Sequence, residues 1–294
     1  MPVTQLFTRA GHAYPRRQPR TPVHADSPLR GPATVELTVV VPFFNPGAAL
    51  RPTVLTILEC LHAAEISFEL IAVSDGSTDG SANTVADIPH IRLLPNPRNL
   101  GKGVALRRGF AAANGAWIGF IDADGDIHPR HLVEYLDRAR HGGNAGVYAD
   151  KRHAGSGNAA TGRRRAMSAT YSALVSTLFR VGVRDTQTGC KVFRRDVLAE
   201  LLPRLHECGY AIDLELFVAA RRAGITDFVG APVDIGGRLN GSTIGYAAIV
   251  RMIRDTLAIY GRHHLGRASG TRQVSPGPIK IRYAEHPAEL HSEA

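Results

Sequence analysis

The chain has 294 residues, 44% of them hydrophobic and 21% charged, which suits a soluble globular protein of one large domain or two small ones. It contains no run of eighteen apolar residues and no apolar signal-peptide core, so neither a membrane-spanning helix nor a secretory leader is expected. The net charge of +9 points to anionic partners; with no helix-turn-helix, zinc finger or aromatic-rich RNA-binding strands in view, phosphate chemistry at a membrane surface is favoured and no nucleic-acid partner is expected.

Residues 1–34 are rich in proline and arginine without apolar periodicity, and read as a disordered basic arm. Structure is expected from Val35-Glu-Leu-Thr-Val-Val-Val-Pro42, a β-branched run with the pattern of a buried parallel strand. Asn45-Pro46-Gly47 breaks it, and a helix is predicted over Leu50–Ala64 with Pro52 in its first turn. The strand Phe68–Val73 runs into Ser74-Asp-Gly-Ser-Thr-Asp-Gly80, after which Ala82–Ala86 should begin a second helix. Ile91–Leu94 is a short third strand. A helix over Val104–Ala113 follows the turn Asn99-Leu-Gly-Lys-Gly103.

The next stretch organises the rest. Trp117–Ile121 is an apolar run that reads as a buried strand and ends in three carboxylates, Asp122, Asp124 and Asp126. Were the segment extended, alternation would put all three on one side. Like charges so close require a cation among them, and a hard divalent ion completed by a phosphorylated substrate is the natural candidate. An isolated DxD is more often an ordinary polar turn; the accompanying motifs favour the functional reading here.

Beyond Asp126 the pattern predicts a helix over Pro129–Arg140, a strand at Gly146–Ala149, a basic loop Lys151–Arg165 and a helix over Met167–Val181. A polar turn, Arg184–Lys191, precedes a strand at Val192-Phe193; helices over Asp196–Leu202 and Asp213–Ala223 and a strand at Phe228-Val229 follow. The last helix, Ile244–Tyr260, places Ile244, Ala248, Met252 and Ile259 near one face with Arg251 and Arg254 among them. Ordinary packing is its simpler reading and a membrane-surface helix its functional one. The remainder reads as a polar, flexible tail. Cys60, Cys190 and Cys208 are scattered, with no CxxC, which suits a reducing cytoplasm. Strand–helix alternation predicts an open, mostly parallel α/β sheet covered by helices, with ligands at the carboxyl ends of the strands. Pro42–Asn45, Asp75–Asp79 and Asp122–Asp126 all fall at such ends.

Four blocks, Val39-Val-Val-Pro-Phe-Phe-Asn45, Val73-Ser-Asp-Gly-Ser-Thr-Asp79, Asn99-Leu-Gly-Lys-Gly103 and Asp122-Ala-Asp124, resemble the signatures of glycosyltransferase family 2. Asp185-Thr-Gln-Thr-Gly-Cys-Lys-Val-Phe193 and Asp213-Leu-Glu215 resemble the dolichyl-phosphate glucosyltransferase branch of the polyprenyl-phosphate glycosyltransferases. The resemblance spans roughly Val35 to Tyr246. It implies a GT-A nucleotide-sugar-binding fold over residues 35–243, followed by an amphipathic helix over 244–262 and a tail over 263–294.

The resemblance also implies roles. Pro42, Phe44, Val73 and Asp75 would hold the base and ribose, Asp122 and Ala123 would sit beside the nucleotide, and Lys102 and Arg238 would serve the diphosphate. Asp124, with Asp126, would bind Mg²⁺ or Mn²⁺, whose work is to neutralise charge on the departing nucleoside diphosphate. A phosphate monoester acceptor is already anionic and does not strictly need a general base, but it does need cations to hold it in line. Arg152, Arg164 and Ser168 are the choices, with Arg165 an alternative, in a loop that also carries Lys151 and Arg163. Asp185, Gln187, Asp213 and Glu215 would line the sugar and acceptor side, with Asp124, Asp213 and Gln187 central to catalysis. Glu215 reads equally well as an ordinary acid at a helix N-terminus.

The implied reaction is inverting transfer of a hexose, from a UDP-hexose by preference, to a polyprenyl phosphate at the cytoplasmic face of the membrane. An integral membrane protein that receives the glycolipid is a further partner the reading allows. GDP-mannose as donor, a soluble acceptor, or a silent nucleotide-binding homologue are the alternatives. Departures from the family pattern are Phe44 and Pro46 for a tyrosine and an acid, Thr243 for a lysine, and Cys190 and Ile212 for aromatics.

Overall fold

The computed structural model describes residues 29, 31–157, 162–236 and 246–265. Seven strands form one sheet in the order β3-β2-β1-β4-β6-β5-β7: β1 (Val35–Phe43), β2 (Phe68–Ser74), β3 (Ile91–Pro95), β4 (Gly115–Ile121), β5 (Gly146–Ala149), β6 (Cys190–Arg194) and β7 (Phe228–Ala231). β6 is antiparallel to both β4 and β5, while every other pair is parallel. The open, mostly parallel α/β sheet is therefore present. Six strands point their carboxyl ends to one edge, and β6 begins there.

The strands are apolar on both faces because both are covered. Val39 and Val41 of β1 pack with α1 (Leu50–Ala63) and α3 (Arg130–Gly142), whereas Val40 packs into a second cluster on the opposite face. That second cluster includes α2 (Lys102–Ala111), α4 (Gly162–Phe179), α5 (Arg195–Leu201), α6 (Ile212–Arg222) and α7 (Tyr246–Tyr260). Each Val, Leu or Phe taken fully from water in these layers contributes about 1.5–3 kcal/mol before entropy is counted.

Several expectations are corrected. Ala82–Ala86 starts no α-helix; Ser81–Thr84 makes one 3-10 turn, since Asn83, Thr84 and Val85 are weak helix formers and Pro89 follows. α4 begins at Gly162, five residues before Met167. Lys191 belongs to β6 and not to a polar turn. Leu29 is buried in the core, so ordered chain precedes Val35. At the other end, a π-type turn, Gly261–Leu265, extends α7 past residue 263. Residues 1–28 of the expected arm and 266–294 of the expected tail lie outside the described residues, as does Arg238.

β1 and β4 separate at the edge that matters. Their pairing ends at Val40↔Phe120, while β1 stays with β2 through Phe43↔Ser74. Pro42 therefore loses no ladder bond to β4 by lacking an N–H. The chain winds from β1 outward through β2 and β3, then crosses back to β4, so the crevice between β1 and β4 is the switch point where ligands bind in such sheets.

Candidate active site

The loops after β1 and β2 are stitched together at this edge. Asn45 Oδ1 accepts the N–H of Thr78 (2.8 Å), and Asp79 Oδ2 accepts the N–H of Gly47 (2.7 Å). Phe44 stands about half exposed at the end of β1, but Pro42 is buried and Val73 is fully enclosed, facing Gly109 of α2. Of the residues expected at the base, Phe44 is thus the exposed one. Asp75 is buried and already employed: its carboxylate accepts Asn96 Nδ2 (2.9 Å) and the N–H groups of Leu100 (2.9 Å) and Gly101 (2.8 Å). It fixes the Asn99–Gly103 turn, and Arg108 holds Asn96 Oδ1 from behind at 2.7 Å.

That turn delivers Lys102. Gly101 has φ +97° and Gly103 donates its N–H to the Cys208 carbonyl at 2.7 Å. A Cβ at Gly101 would overlap that same carbonyl oxygen, and one at Gly103 would overlap the Glu207 carbonyl. The two glycines let the turn lie flat against residues 207–208, with Lys102 projecting between them.

Lys102 Nζ lies 2.7 Å from Asp122 Oδ1 and 3.2 Å from Asp213 Oδ2, and Asp213 Oδ1 lies 2.5 Å from Lys191 Nζ. Lys191 also donates to the Thr188 carbonyl at 2.7 Å, and both ammonium groups sit over the Phe120 ring, at 4.9 Å for Lys191 and 5.5 Å for Lys102. This is one row of alternating charge, Lys191–Asp213–Lys102–Asp122. Its side chains are 0%, 2%, 11% and 31% exposed in that order, so it runs from the core to the crevice. Burial opposes the charge of Lys102, but Asp122 and Asp213 outweigh it and hold its pKa above the ordinary lysine value. At Asp122 burial prevails over Lys102, with Asp213 adding to it, and the pKa is raised. Sequence reasoning missed Lys191; its signal was a lysine set directly against the apolar pair Val192-Phe193.

The turn after β4 is not extended. Gly125 has φ +72°, and Asp124 Oδ1 accepts the N–H of Asp126 at 3.0 Å. Asp122, Asp124 and Asp126 therefore do not lie along one extended segment: Asp122 pairs with Lys102 while Asp124 is exposed. The expectation from alternation fails because a left-handed glycine interrupts it. Among the described residues no three His, Cys, Asp or Glu side chains are gathered for an ion. Desolvation, with the charge of Asp126 adding, pushes Asp124 above its ordinary pKa against the N–H of Asp126. Two neighbouring carboxylates that disfavour each other's charge fit a cation such as Mg²⁺, which is ordinarily held by one or two carboxylates together with substrate phosphates.

The segment before β6 closes the site. Asp185, buried, accepts Thr188 Oγ1 (2.6 Å) and the N–H of Gln187 (3.1 Å), and its Oδ2 lies 3.5 Å from Lys151 Nζ. Burial works against its charge, yet Lys151 and these hydrogen bonds outweigh it and lower its pKa. Lys151 is thereby committed to Asp185, and Asp185 shapes the turn. Gln187 is half-buried beside it. Arg152 is exposed at the end of β5. Arg163, Arg164, Arg165 and Ser168 fall in the first turns of α4, and their side chains lie outside the described ones. Glu215 does not join the row: it accepts the N–H groups of His206 (2.8 Å) and Glu207 (2.7 Å), with Arg262 Nη2 at 3.1 Å. The expectation that it lines the sugar side gives way to a structural role, because on α6 it projects away from Asp213.

Three comparisons bear on this geometry. A dolichyl-phosphate beta-glucosyltransferase of Trichomonas vaginalis is 28% identical over 248 residues, covering 79% of this chain and 73% of the relative. A dolichyl-phosphate beta-glucosyltransferase of Dictyostelium discoideum is 27% identical over 251 residues, covering 79% and 76%. Among solved structures, glucosyl-3-phosphoglycerate synthase from Mycobacterium tuberculosis, in complex with Mn²⁺, UDP and glucosyl-3-phosphoglycerate, aligns with a TM-score of 0.60 at 22% identity over 78% of this chain and 81% of that one. Mannosyl-3-phosphoglycerate synthase from Rubrobacter xylanophilus aligns with a TM-score of 0.62 at 19% identity over 83% and 78%. The fold is that of the GT-A glycosyltransferases. The family model for glycosyl transferase family 2 matches residues 38–202, and the chain belongs to that family.

Proposed function

We propose that the protein transfers a hexose, with inversion, from a nucleotide sugar to a polyprenyl phosphate, and that a UDP-hexose is the donor. The observation that carries the reading is the meeting of two motifs at Gly189. The carbonyl of Gly189 accepts the N–H of Asp122 at 3.0 Å, so the carboxylate turn of the donor side is seated on the Asp185–Phe193 block that resembles the dolichyl-phosphate branch. The relatives named dolichyl-phosphate beta-glucosyltransferase support the same acceptor.

In this reading Phe44 packs against the base, and the one lone pair left on Asp75 Oδ2 serves the nucleotide through a hydrogen bond at most. A divalent cation, when bound at Asp124 and Asp126, supplies positive charge where the nucleoside diphosphate departs. Lys102 adds a fixed cation beside it, and Arg238 is the further diphosphate contact. Gln187 and Asp213 bound the space for the sugar.

Asp213 has both oxygens engaged by ammonium groups, so it shapes and charges the site rather than removing a proton. An acceptor that arrives ionised suits such a site, and a phosphate monoester does. Arg152, Arg164 and Ser168, with Arg165 as alternative, hold that phosphate, and a helix N-terminus such as that of α4 favours an anion. No described helix is long and apolar enough to cross a membrane, and the protein works in this account at the cytoplasmic membrane face, where its acceptor resides. The test is transfer of labelled sugar to a short polyprenyl phosphate, with recovery of a chloroform-soluble product.

A further inference from the structure

Lys191 lies inside the sheet, on its one reversed strand between β4 and β5, with no exposed surface. Its register neighbours are Phe120 on β4 and Tyr148 on β5. An ammonium group there is costly to desolvate, and an apolar side chain of similar length would fill the same volume without that cost. Packing alone therefore does not account for it. Among the described residues its ammonium contacts the Thr188 carbonyl, the Phe120 ring and Asp213, and its charge is also felt by Asp185. Its one direct ion pair toward the crevice, among the described residues, is with Asp213.

We infer that Lys191 is a positioning residue for the transfer step, holding Asp213 so that this carboxylate shares the Lys102 ammonium with Asp122. The inference rests on the reading of this edge as the donor site. With Lys191 in place the four charges of the row sum to zero. Without it the row carries a net negative charge beside the place where an anionic diphosphate binds. Asp213, with one oxygen released, then also competes with Asp122 for Lys102. Both effects weaken the donor nucleotide. Removing the carboxylate together with the lysine restores neutrality and leaves the Lys102–Asp122 pair intact.

The experiment measures UDP binding by calorimetry with Mn²⁺ on the full chain, and donor KM and kcat, for wild type, Lys191→Met and the double variant Lys191→Met/Asp213→Asn. Lys191→Met is expected to raise the Kd for UDP about tenfold, the change that about one lost charge interaction produces. The double variant should return to within about threefold of wild-type affinity, because the two sites are coupled, while its kcat stays low for want of Asp213. If Lys191→Met binds UDP and turns over like wild type, with only its melting temperature lowered, Lys191 is a core cation and the inference is wrong. Should Lys191→Met fail to fold, Lys191→Gln takes its place with the same two outcomes, and a double variant weakened as much as about tenfold also overturns the inference. A wild type that binds UDP but transfers sugar only to a soluble acceptor removes the proposed function while leaving the role of Lys191 standing.

Discussion

Gly189 and Asp122 occupy each other's space. A Cβ built on Gly189 would overlap Oδ2 of Asp122, while the Gly189 carbonyl accepts the Asp122 N–H at 3.0 Å. One methyl group at residue 189 must therefore push the Asp122 carboxylate out of its place beside Lys102. Gly189→Ala is expected to fold, since the clash is with a partly exposed side chain at the crevice. A displacement of this size should lower kcat/KM about 100-fold. Steady-state kinetics with a circular-dichroism melt checks both halves.

Lys102 is held by two carboxylates, so its removal leaves Asp122 and Asp213 with Lys191 as the remaining ammonium. Lys102→Met should cost about 3 kcal/mol of stability, seen as a melting temperature lower by roughly 6–12 °C. Adding Asp122→Asn should recover part of that loss, because it restores neutrality and leaves the buried Lys191–Asp213 pair intact. A single variant as stable as wild type would mean the row contributes nothing to folding.

The loop that carries Cys208 beneath the Lys102 turn depends on Glu215. Burial opposes the Glu215 charge, but His263, the N–H groups of residues 206 and 207 and Arg262 together lower its pKa. A depressed carboxylate pKa stabilises the fold above the unfolded value of about 4.3, and that stability is lost as the pH falls through the folded pKa. Acid unfolding of wild type should therefore be steeper below about pH 4.3 than that of Glu215→Gln. At neutral pH the same variant should be less stable by about 1–3 kcal/mol. Parallel acid titrations of the two proteins measure both differences.

Asp124 and Asp126 raise a prediction about ions. Mn²⁺ together with UDP should raise the melting temperature of wild type, because anything that binds only the folded state stabilises it. Asp124→Asn should abolish most of that rise while leaving the ligand-free melt within about 1 kcal/mol. An equal rise in both proteins would remove Asp124 from the cation site.

Much of this was legible in the residues. Continuous β-branched runs at Val35–Pro42 and Phe68–Val73 can only be strands covered on both faces, and their ends pointed to the crevice. The glycines of Asn99–Gly103 marked a close backbone approach, though not that Cys208 was the neighbour. What failed did so for physical reasons. Alternation at Asp122, Asp124 and Asp126 assumed an extended chain, which the left-handed Gly125 does not allow. Asp75 read as a ligand residue, and that reading remains part of the proposal; its three hydrogen bonds to Asn96, Leu100 and Gly101 add a turn-holding role, a tertiary fact that no local pattern carries. Lys191 looked like the end of a polar turn, because a charge at a strand interior is readable only once Asp213, twenty-two positions on, is brought beside it.

The measurement that tests the account most directly is transfer from labelled UDP- and GDP-sugars to a short polyprenyl phosphate with Mg²⁺ or Mn²⁺, beside soluble acceptors. Wild type would be run with Asp124→Ala and Arg164→Ala. The account predicts a chloroform-soluble product from a UDP-hexose that requires the cation, disappears in Asp124→Ala and falls sharply in Arg164→Ala. Transfer to soluble acceptors alone, or donor hydrolysis without a lipid product, would contradict it.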